Sequence, residues 1–292
     1  MSLTDRQLSI GDLVMGEGTP YIVRTGTDLF RSSAHTMGEG DKSWADGKWA
    51  GAEFADERVL AIQLTVTGSG ATPAATKADT MSKWWTLKKA CRPIGFGPEV
   101  EVRFYYDQEY LVWGRPRLVE PNMDYVERGF IHCTVGVTCP TPRIFAAEPE
   151  TLTGITLPVS VGGLTYPVRY PVQYSAAQVG GSGVITNYGT DTTSFRFRIN
   201  GPVQRPVIIV ENDLGPFRMS LLMNLADGEY VDIDTSTRTV ALNGSASVRG
   251  RVVLEPAGMF PTADIGPNEI SFRGSDKTNS ATLDVSLYSA YN

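Results

Sequence analysis

The chain has 292 residues, of which 41% are hydrophobic and 20% charged, and its formal net charge is −6. This composition is that of a globular protein rather than a disordered or fibrous one, and the length favours two domains over a single core. The acidic balance offers no basic stripe for a phosphate backbone, which argues against sequence-specific nucleic-acid binding but leaves room for passive contact with DNA in a channel.

The N-terminus, MSLTDRQLSIGDLV, has neither the basic region nor the apolar region of a signal peptide. No apolar run elsewhere approaches the roughly 20 residues that a membrane-spanning helix needs. We therefore expect a soluble protein that is not secreted and has no membrane partner.

Strand patterns with a period of two dominate the first half of the chain. They occur in ERVLAIQLTVTG (57–68), in VEVRFYYD followed by EYLVWGRPRLVE (100–120), and in FIHCTVGVTC (130–139). The short Asp107-Gln108 link between the second pair of runs predicts a hairpin. This half is therefore expected to consist mainly of β-strands.

One segment, residues 74–91, has the pattern of a helix. Thr72 and Pro73 resemble an N-cap followed by proline at the first helical position, lysines gather in the last turn, and a proline follows the end. We expect Trp84 and Trp85 on this helix to be packed rather than exposed.

The three cysteines, Cys91, Cys133 and Cys139, are predicted to be reduced and buried. If the run containing the last two is a strand, about 20 Å separates them, which is too far for a disulfide.

The residue pattern changes at PTPRIFAAEPE (140–150), where prolines interrupt the alternation of apolar and polar residues. We place a domain boundary in this region, with an N-terminal domain over 1–145 and a C-terminal domain over 146–292. Beyond it, short strand patterns recur with turn residues between them, which predicts a β-sandwich. The clearest hairpin is DIDTSTRTV (232–240). The whole chain is thus predicted to be all-β with one helix.

The run LTYPVRYPVQY (164–174) places Tyr166, Tyr170 and Tyr174 on one face. Its prolines cannot donate to a β-ladder, so we expect an edge strand or a strand-like arm. A row of tyrosines can stack on sugar rings, but it is also typical of a core or subunit contact, which we favour.

Catalytic chemistry is sparse in the sequence. There are two histidines: we expect His35 in a polar loop, and His132 on the strand face opposite its cysteine neighbour. Neither predicts a site, and no nucleophile or phosphate-binding motif occurs. Asp232 and Asp234 are expected on the solvent face of a strand rather than at a metal. We predict no catalytic residue, cofactor or metal, and no enzymatic activity.

Several quoted stretches, taken in order, resemble one protein family. They are VITNYGTDTTSFRFRINGPVQRPVI (184–208), which contains an Asn-x-Gly-Thr turn at 187–190, LADGEYVDIDTSTRTVALNG (225–244), GMFPTADIGPNEISF (258–272) and ATLDVSLYSAY (281–291). In this order they resemble the distal tail proteins of long-tailed, siphovirus-type bacteriophages. DGKWAGAEFADERVLAIQLTVTG (46–68) and TCPTPRIFAAEPE (138–150) are more loosely similar, and Glu148-Pro149 replaces the family's Asp-Pro.

The resemblance implies a structural protein of the virion with two domains. The N-terminal domain would be a β-barrel-like sandwich with one helix and would assemble as a homo-hexameric hub ring around the DNA channel. The C-terminal domain would be a galectin-like or jelly-roll sandwich at the periphery. Its partners would be the tail tube protein and tail-tip proteins, with passive passage of DNA through the ring. The protein would reside in the phage tail after assembly in the host cytoplasm.

Two alternatives stay open at this point. The C-terminal sandwich could be a carbohydrate-binding adhesin module that uses the tyrosine row on a host surface glycan. It could also cleave polysaccharide, which requires two carboxylates about 5 to 9.5 Å apart in a cleft.

Overall fold

The computed structural model describes residues 3–25, 27–92, 95, 97–161, 177–276, 278 and 280–292. The chain divides into two compact units, one of Met1–Ala147 with Asn292 and one of Glu148–Tyr291. Strands make up most of the described chain, with one α-helix and two short 3-10 helices. The all-β prediction is therefore confirmed. The domain boundary predicted after residue 145 lies two residues before this division, and it stays a prediction.

The first unit contains twelve strands in the part of the chain that the structure describes. They are β1 (Leu8–Ile10), β2 (Leu13–Met15), β3 (Tyr21–Val23), β4 (His35–Met37), β5 (Gly40–Asp41), β6 (Lys48–Trp49), β7 (Glu53–Ala55), β8 (Arg58–Thr67), β9 (Val100–Tyr105), β10 (Glu109–Asn122), β11 (Phe130–Cys139) and β12 (Ile144–Ala146). The helix α1 (Pro73–Ala90) and a 3-10 turn (Val126–Arg128) complete this unit.

The main sheet of this unit is a nearly closed barrel. Its strand order is β2-β1-β9-β10-β11-β8-β3, with β12 paired to β10, and all of these pairs are antiparallel. The two ends of the sheet meet where the Gly16 N–H donates to the Tyr21 carbonyl at 2.7 Å. The predicted hairpin is confirmed, since Tyr105 of β9 is paired with Glu109 of β10.

Alternating apolar residues fill the barrel, as the period-two patterns predict. The buried side chains include Leu60, Ile62, Leu64 and Val66 of β8, Val102 and Phe104 of β9, and Ile131, Val135 and Val137 of β11. All three cysteines are free and buried. Burial raises the pKa of Cys91 to about 11 and those of Cys133 and Cys139 to about 12, so these thiols are not nucleophiles near neutral pH.

The helix begins and ends within one residue of the predicted bounds. The Thr72 hydroxyl accepts a hydrogen bond from the Ala75 N–H at 3.2 Å, which is the N-cap contact that the sequence predicts. Trp84 is buried, but Trp85 is 61% exposed. The prediction that both tryptophans pack was wrong for Trp85, because adjacent residues on a helix point in directions about 100° apart.

The second unit is a sandwich of two antiparallel sheets. Its strands are β13 (Glu150–Thr156), β14 (Val159–Val161), β15 (Ala177–Val179), β16 (Ser182–Asn187), β17 (Thr193–Asn200), β18 (Val203–Asn212), β19 (Gly215–Leu221), β20 (Asn224–Leu225), β21 (Tyr230–Asp234), β22 (Thr239–Leu242), β23 (Ala246–Ser247), β24 (Val252–Glu255), β25 (Thr262–Ala263), β26 (Gly266–Ser275), β27 (Thr282–Leu287) and β28 (Ala290–Tyr291). A 3-10 turn (Arg249–Arg251) precedes β24.

One sheet has the order β13-β27-β17-β21-β22-β23 with β25 on β17, and the other has β16-β26-β18-β19-β24 with β20 on β18. Phe195 and Phe197 from the first sheet share one hydrophobic core with Ile208, Ile270 and Phe272 from the second. The predicted sandwich is thus confirmed, and so is the hairpin after Asp234, since β21 pairs with β22. The predicted edge strand at 164–174 lies outside the described residues. The strands on either side of it, β14 and β15, pair with each other.

The Asn-x-Gly-Thr turn ties β16 to the end of the chain. Asn187 is buried, and its side chain accepts hydrogen bonds from Gly189 and Ala290 and donates one to the carbonyl of Asp191. The Thr190 N–H donates to the Ala290 carbonyl at 2.8 Å. A turn of this sequence therefore positions β28 against β16.

We expect Gly189→Ala to destabilise the protein by about 1–3 kcal/mol, because a Cβ at this position would lie 1.8 Å from the Ala290 oxygen, a backbone atom that must then move. Gly250→Ala is the matched control, since a Cβ there meets no atom within 4 Å. Thermal unfolding of the two variants checks this expectation. Equal melting temperatures would contradict the close approach.

Candidate functional site

The segment between β3 and β8 forms a hairpin that we call the arm, residues 35–55. In it β4 pairs with β7 and β5 pairs with β6. Every arm residue is exposed except the half-buried Lys42. Trp44 is 99% exposed, Trp49 67% and Phe54 68%. An isolated two-stranded hairpin is only marginally stable in water, so three exposed aromatic rings on one indicate a surface that is covered by another molecule.

The arm is also acidic. It carries four acidic side chains and two lysines, a net charge of −2. Lys48 pairs with Glu39 at 3.1 Å. Asp41, Asp46 and Glu53 have no ion pair within the described residues. The arm therefore presents both apolar and anionic groups to solvent.

A second feature of the barrel unit, which we call the basic groove, lies beside the C-terminal end of α1. It consists of two depressions of about 360 and 450 Å³ that share Arg92 and Val100 in their linings. Arg115 and Arg117 of β10 line the first, and Lys89 of α1 lines the second. The groove thus carries four cationic side chains on a chain whose net charge is negative.

The positions of these arginines follow from local structure. Arg92 comes directly after the C-cap of α1. Arg115 and Arg117 flank Pro116 on β10, where the pairing with β11 is interrupted by a β-bulge, a feature that re-aims side chains. The Arg115 guanidinium donates to the carbonyl of Gly97 at 3.1 Å. Across the described ranges, none of the three arginines has an ion pair with a carboxylate.

The outer face of the larger sheet of the second unit holds a shallow polar depression of about 500 Å³. Arg198 pairs with Asp232 through two contacts of 2.6 and 3.0 Å, and Arg196 pairs with Asp234 at 3.3 Å. Asp284 accepts a hydrogen bond from the Asn200 amide at 3.0 Å. The two predicted solvent-facing aspartates are therefore held by cross-strand arginines.

Hydrogen bonding also sets the ionisation of Asp234. Burial raises the pKa of this carboxyl, but hydrogen bonds from Ser236 and Thr237 and the charge of Arg196 outweigh burial and hold the pKa below its usual value. The carboxylate is thus ionised and engaged in its own turn. In the part of the chain with described coordinates, no group of three His, Cys, Asp or Glu side chains is arranged to hold a metal ion.

The structure places the other predicted residues as follows. Tyr166, Tyr170 and Tyr174 lie outside the described residues. His35 was predicted in a loop but lies in β4 of the arm, because its backbone pairs with Ala55. His132 lies half-buried in β11, where its Nδ1 is 2.8 Å from the Thr65 hydroxyl. Among the described helices, none is long and apolar enough to cross a membrane.

Sequence reasoning missed both the arm and the basic groove. The arm had a signal, since two tryptophans stand in a Gly-rich, acidic stretch with no strand periodicity. The groove had none, because its residues come from four separate parts of the first unit.

No protein-family model and no curated protein sequence matches the chain. Solved structures do match. The chain superposes on the crystal structure of the Dit protein (gp 19.1) of phage SPP1 with a TM-score of 0.63 and 11% identity, over 96% of this chain and 97% of that one. It also superposes on chains in two structures of the phage p2 baseplate in its activated conformation, with Sr and with Ca.

The TM-scores of the two baseplate matches are 0.54 and 0.50, the identities are 11% and 12%, and each covers 97% of this chain and 98% of the other. Such low identities are informative about fold rather than about function. The chain therefore shares, over nearly its whole length, the fold of a phage distal tail protein, as the resemblance in its turn and strand motifs predicts.

Proposed function

We propose that this protein is a structural subunit of a phage tail, located at the hub where the tail tube meets the tip or baseplate. The observation that carries this proposal is the match with SPP1 Dit along almost the full length of both chains. The SPP1 protein is described as a paradigm of hub adsorption apparatus in phages that infect Gram-positive bacteria. The p2 baseplate structures support the same role.

The proposed assembly is a ring of six copies around the DNA channel, built in the host cytoplasm and retained in the virion. Its partners are the tail tube protein on one side and tail-tip proteins on the other. The exposed aromatic side chains of the arm support self-association, because they form a surface that a lone copy leaves in water. The net charge of −6 suits a channel wall that repels DNA and does not bind it.

The role we propose is not enzymatic. In the polar depression on the sandwich face, Asp232 and Asp234 are paired with arginines. The third carboxylate, Asp284, accepts hydrogen bonds from the Asn200 amide and the Gly154 N–H. A glycosidase needs one carboxyl free to donate a proton. A screen of the purified protein on bacterial cell-wall and capsular polysaccharides tests this point. Release of reducing ends would contradict it.

Native mass spectrometry and negative-stain imaging of one purified sample test the ring. We expect a species of six chains with a central hole. Because ring closure can depend on the neighbouring layer, the same measurement is made after mixing with the tail tube protein of the same phage. A protein that stays monomeric in both samples would contradict the proposal.

Carbohydrate binding by the sandwich is a second candidate. The observation that favours it is the polar depression, where the arginine and aspartate groups of β17, β21 and β27 converge. A glycan array probed with the intact chain and with Arg198→Ala tests it. Binding to a host surface glycan that the substitution abolishes would support an additional adhesive role, and an array without a hit would remove it.

A further inference from the structure

We propose that the arm of one copy docks in the basic groove of the next copy, and that this contact closes the ring. The inference rests on the proposed function and deepens it, since it names the two surfaces of the subunit contact. Most of the charged side chains on the two surfaces have no ion pair within the described residues of a single copy, although the Arg115 guanidinium donates to the Gly97 carbonyl and Lys48 pairs with Glu39. Trp44 at the tip of the arm is 99% exposed, and the arginines of the groove have no ion pair among the described residues.

Charge is the first element of complementarity. The groove carries Lys89, Arg92, Arg115 and Arg117 against a single lining carboxylate, Asp12. The arm offers three carboxylates that no described cation engages: Asp41, Asp46 and Glu53. Arginine suits this contact because its planar guanidinium binds a carboxylate through two parallel hydrogen bonds.

The second element is apolar surface. The depression that Lys89 lines is otherwise largely hydrophobic, with Ile10, Leu13, Ala90 and Val100 on its walls. A groove with an apolar floor and a cationic rim fits a segment that alternates aromatic and acidic residues. In the arm, Asp41, Trp44, Asp46 and Trp49 follow one another within nine residues. The two lysines of this stretch are engaged within the arm, since Lys48 pairs with Glu39 and Lys42 lies over the Trp49 ring. Aromatic anchors are the residues that contribute most to interfaces.

The third element is geometry. The arm and the groove are different patches of the same subunit, so a contact between them is heterologous, and heterologous contacts generate rings when the rotation closes. Each side of the arm has about ten residues and would extend up to roughly 30 Å at 3.3 Å per residue. This length is enough to reach across a neighbouring subunit.

Charge reversal is the first test. Arg115→Glu with Arg117→Glu changes the groove, Asp41→Lys with Asp46→Lys changes the arm, and a third chain carries all four substitutions. We expect each double variant to raise the concentration for half-maximal assembly at least 10-fold, and the fourfold variant to recover most of that loss. The matched control is Arg24→Glu with Arg218→Glu, two exposed arginines without a described ion pair, which should assemble as the parent does.

Mixing the two double variants gives a sharper result. In an alternating ring of the two variants, an intact arm meets an intact groove at one interface, and a lysine arm meets a glutamate groove at the next, as in the fourfold variant. The mixture should therefore form rings with three copies of each variant at a concentration where neither variant assembles alone. Rings formed by the groove variant at the parent concentration would overturn the inference and leave the proposed ring itself intact.

Photo-crosslinking gives a readout that does not need a stable ring. Trp44 is replaced by p-benzoylphenylalanine in the intact chain, and light and heavy isotope-labelled copies are mixed at high concentration with the tail tube protein. We expect crosslinks between copies that map to residues 10–13, 86–92 and 115–117. Crosslinks that map elsewhere, or only within one copy, would overturn the inference. Crosslinks to the groove in a sample without rings would support this contact and contradict the proposed hub.

Discussion

Replacing Arg58 with methionine should lower the melting temperature of the protein by roughly 4–16 °C. Arg58 is 1% exposed and is among the largest fully buried side chains of the described chain. Its Nε donates to the carbonyl of Pro142 at 2.5 Å, and its Nη1 donates to the carbonyl of Arg31. Methionine fills similar space but leaves both carbonyls without that donor.

The size of the effect follows from desolvation. An unpaired buried polar group costs about 1–3 kcal/mol, so two carbonyls together give a loss of roughly 2–4 kcal/mol after partial rehydration. For a chain of this size each kcal/mol lowers the melting temperature by roughly 2–4 °C. Burial also lowers the pKa of the Arg58 guanidinium from its ordinary value, because desolvation disfavours the charged form. The hydrogen bonds to the two carbonyls offset this cost.

Differential scanning calorimetry is the measurement, because a chain with two units need not unfold in one step. Arg24→Met is the control, since Arg24 is exposed and its side chain makes no hydrogen bond or ion pair among the described residues. Arg58→Lys should recover only part of the loss, because one ammonium cannot reach two carbonyls as the guanidinium does. A methionine variant as stable as the parent would show that the contacts are not structural.

Arg58 also bears on the arm. Arg31 lies four residues before the arm and Arg58 three residues after it, so this side chain ties together the two segments that lead into and out of it. This role was not predictable from the sequence, since an arginine at the start of a strand normally stays in water. The role of Arg58 follows from its carbonyl partners, Arg31 and Pro142, which are distant from it in the sequence.

The elements of the fold were predictable where side-chain period and turn chemistry agree. β8 and β11 bury alternate residues, α1 has its cap and its stop, and the turn after Asp234 has the residues that a reversal needs. Each of these signals is local. The arm could not be predicted in this way. Its aromatic side chains do not lie in a core, so they recur with neither the period of a helix nor the period of a strand.

The basic groove was not predictable for a different reason. Lys89, Arg92, Arg115 and Arg117 are each unremarkable in the sequence, and only the pairing of β9 with β10 and the position of α1 bring them together. Conversely, the tyrosine row was conspicuous in the sequence, and its residues lie outside the part of the chain that the structure describes. A residue pattern that is conspicuous in the sequence thus need not lie among the surfaces that the structure describes.

Gly266, Pro267 and Asn268 form the start of β26, where they pair with β16, and the Asn268 side chain is completely buried beside the short connection from β25. Its amide nitrogen donates to the carbonyls of Asp264 and Gly266 at 3.0 and 2.9 Å. Its oxygen accepts from the Asp264 N–H and from the Asn212 amide at 2.9 and 2.8 Å. All the hydrogen-bonding capacity of the side chain is used.

Asn268→Asp should therefore destabilise the protein more than any other change of equal size, by roughly 3–5 kcal/mol at pH 7. The substitution keeps the shape but replaces the donating nitrogen with an oxygen that faces two carbonyl oxygens. Asn224→Asp adds the same charge at an exposed position and is the control. A loss of similar size in both variants would show that the net charge, and not the buried network, is responsible.

The pH dependence separates the causes further. Burial and the two facing carbonyls should raise the pKa of the introduced carboxyl above its usual value near 4. A raised pKa means that the folded state favours the protonated form, so the penalty relative to the parent is smallest below pH 4 and grows as the pH rises through the raised pKa. Unfolding free energies of parent and variant at pH 4 and pH 7 test this. A loss of unfolding free energy that is constant across that range would mean that the carboxyl is solvated in the variant. The structure around residue 268 would then open rather than bury the charge.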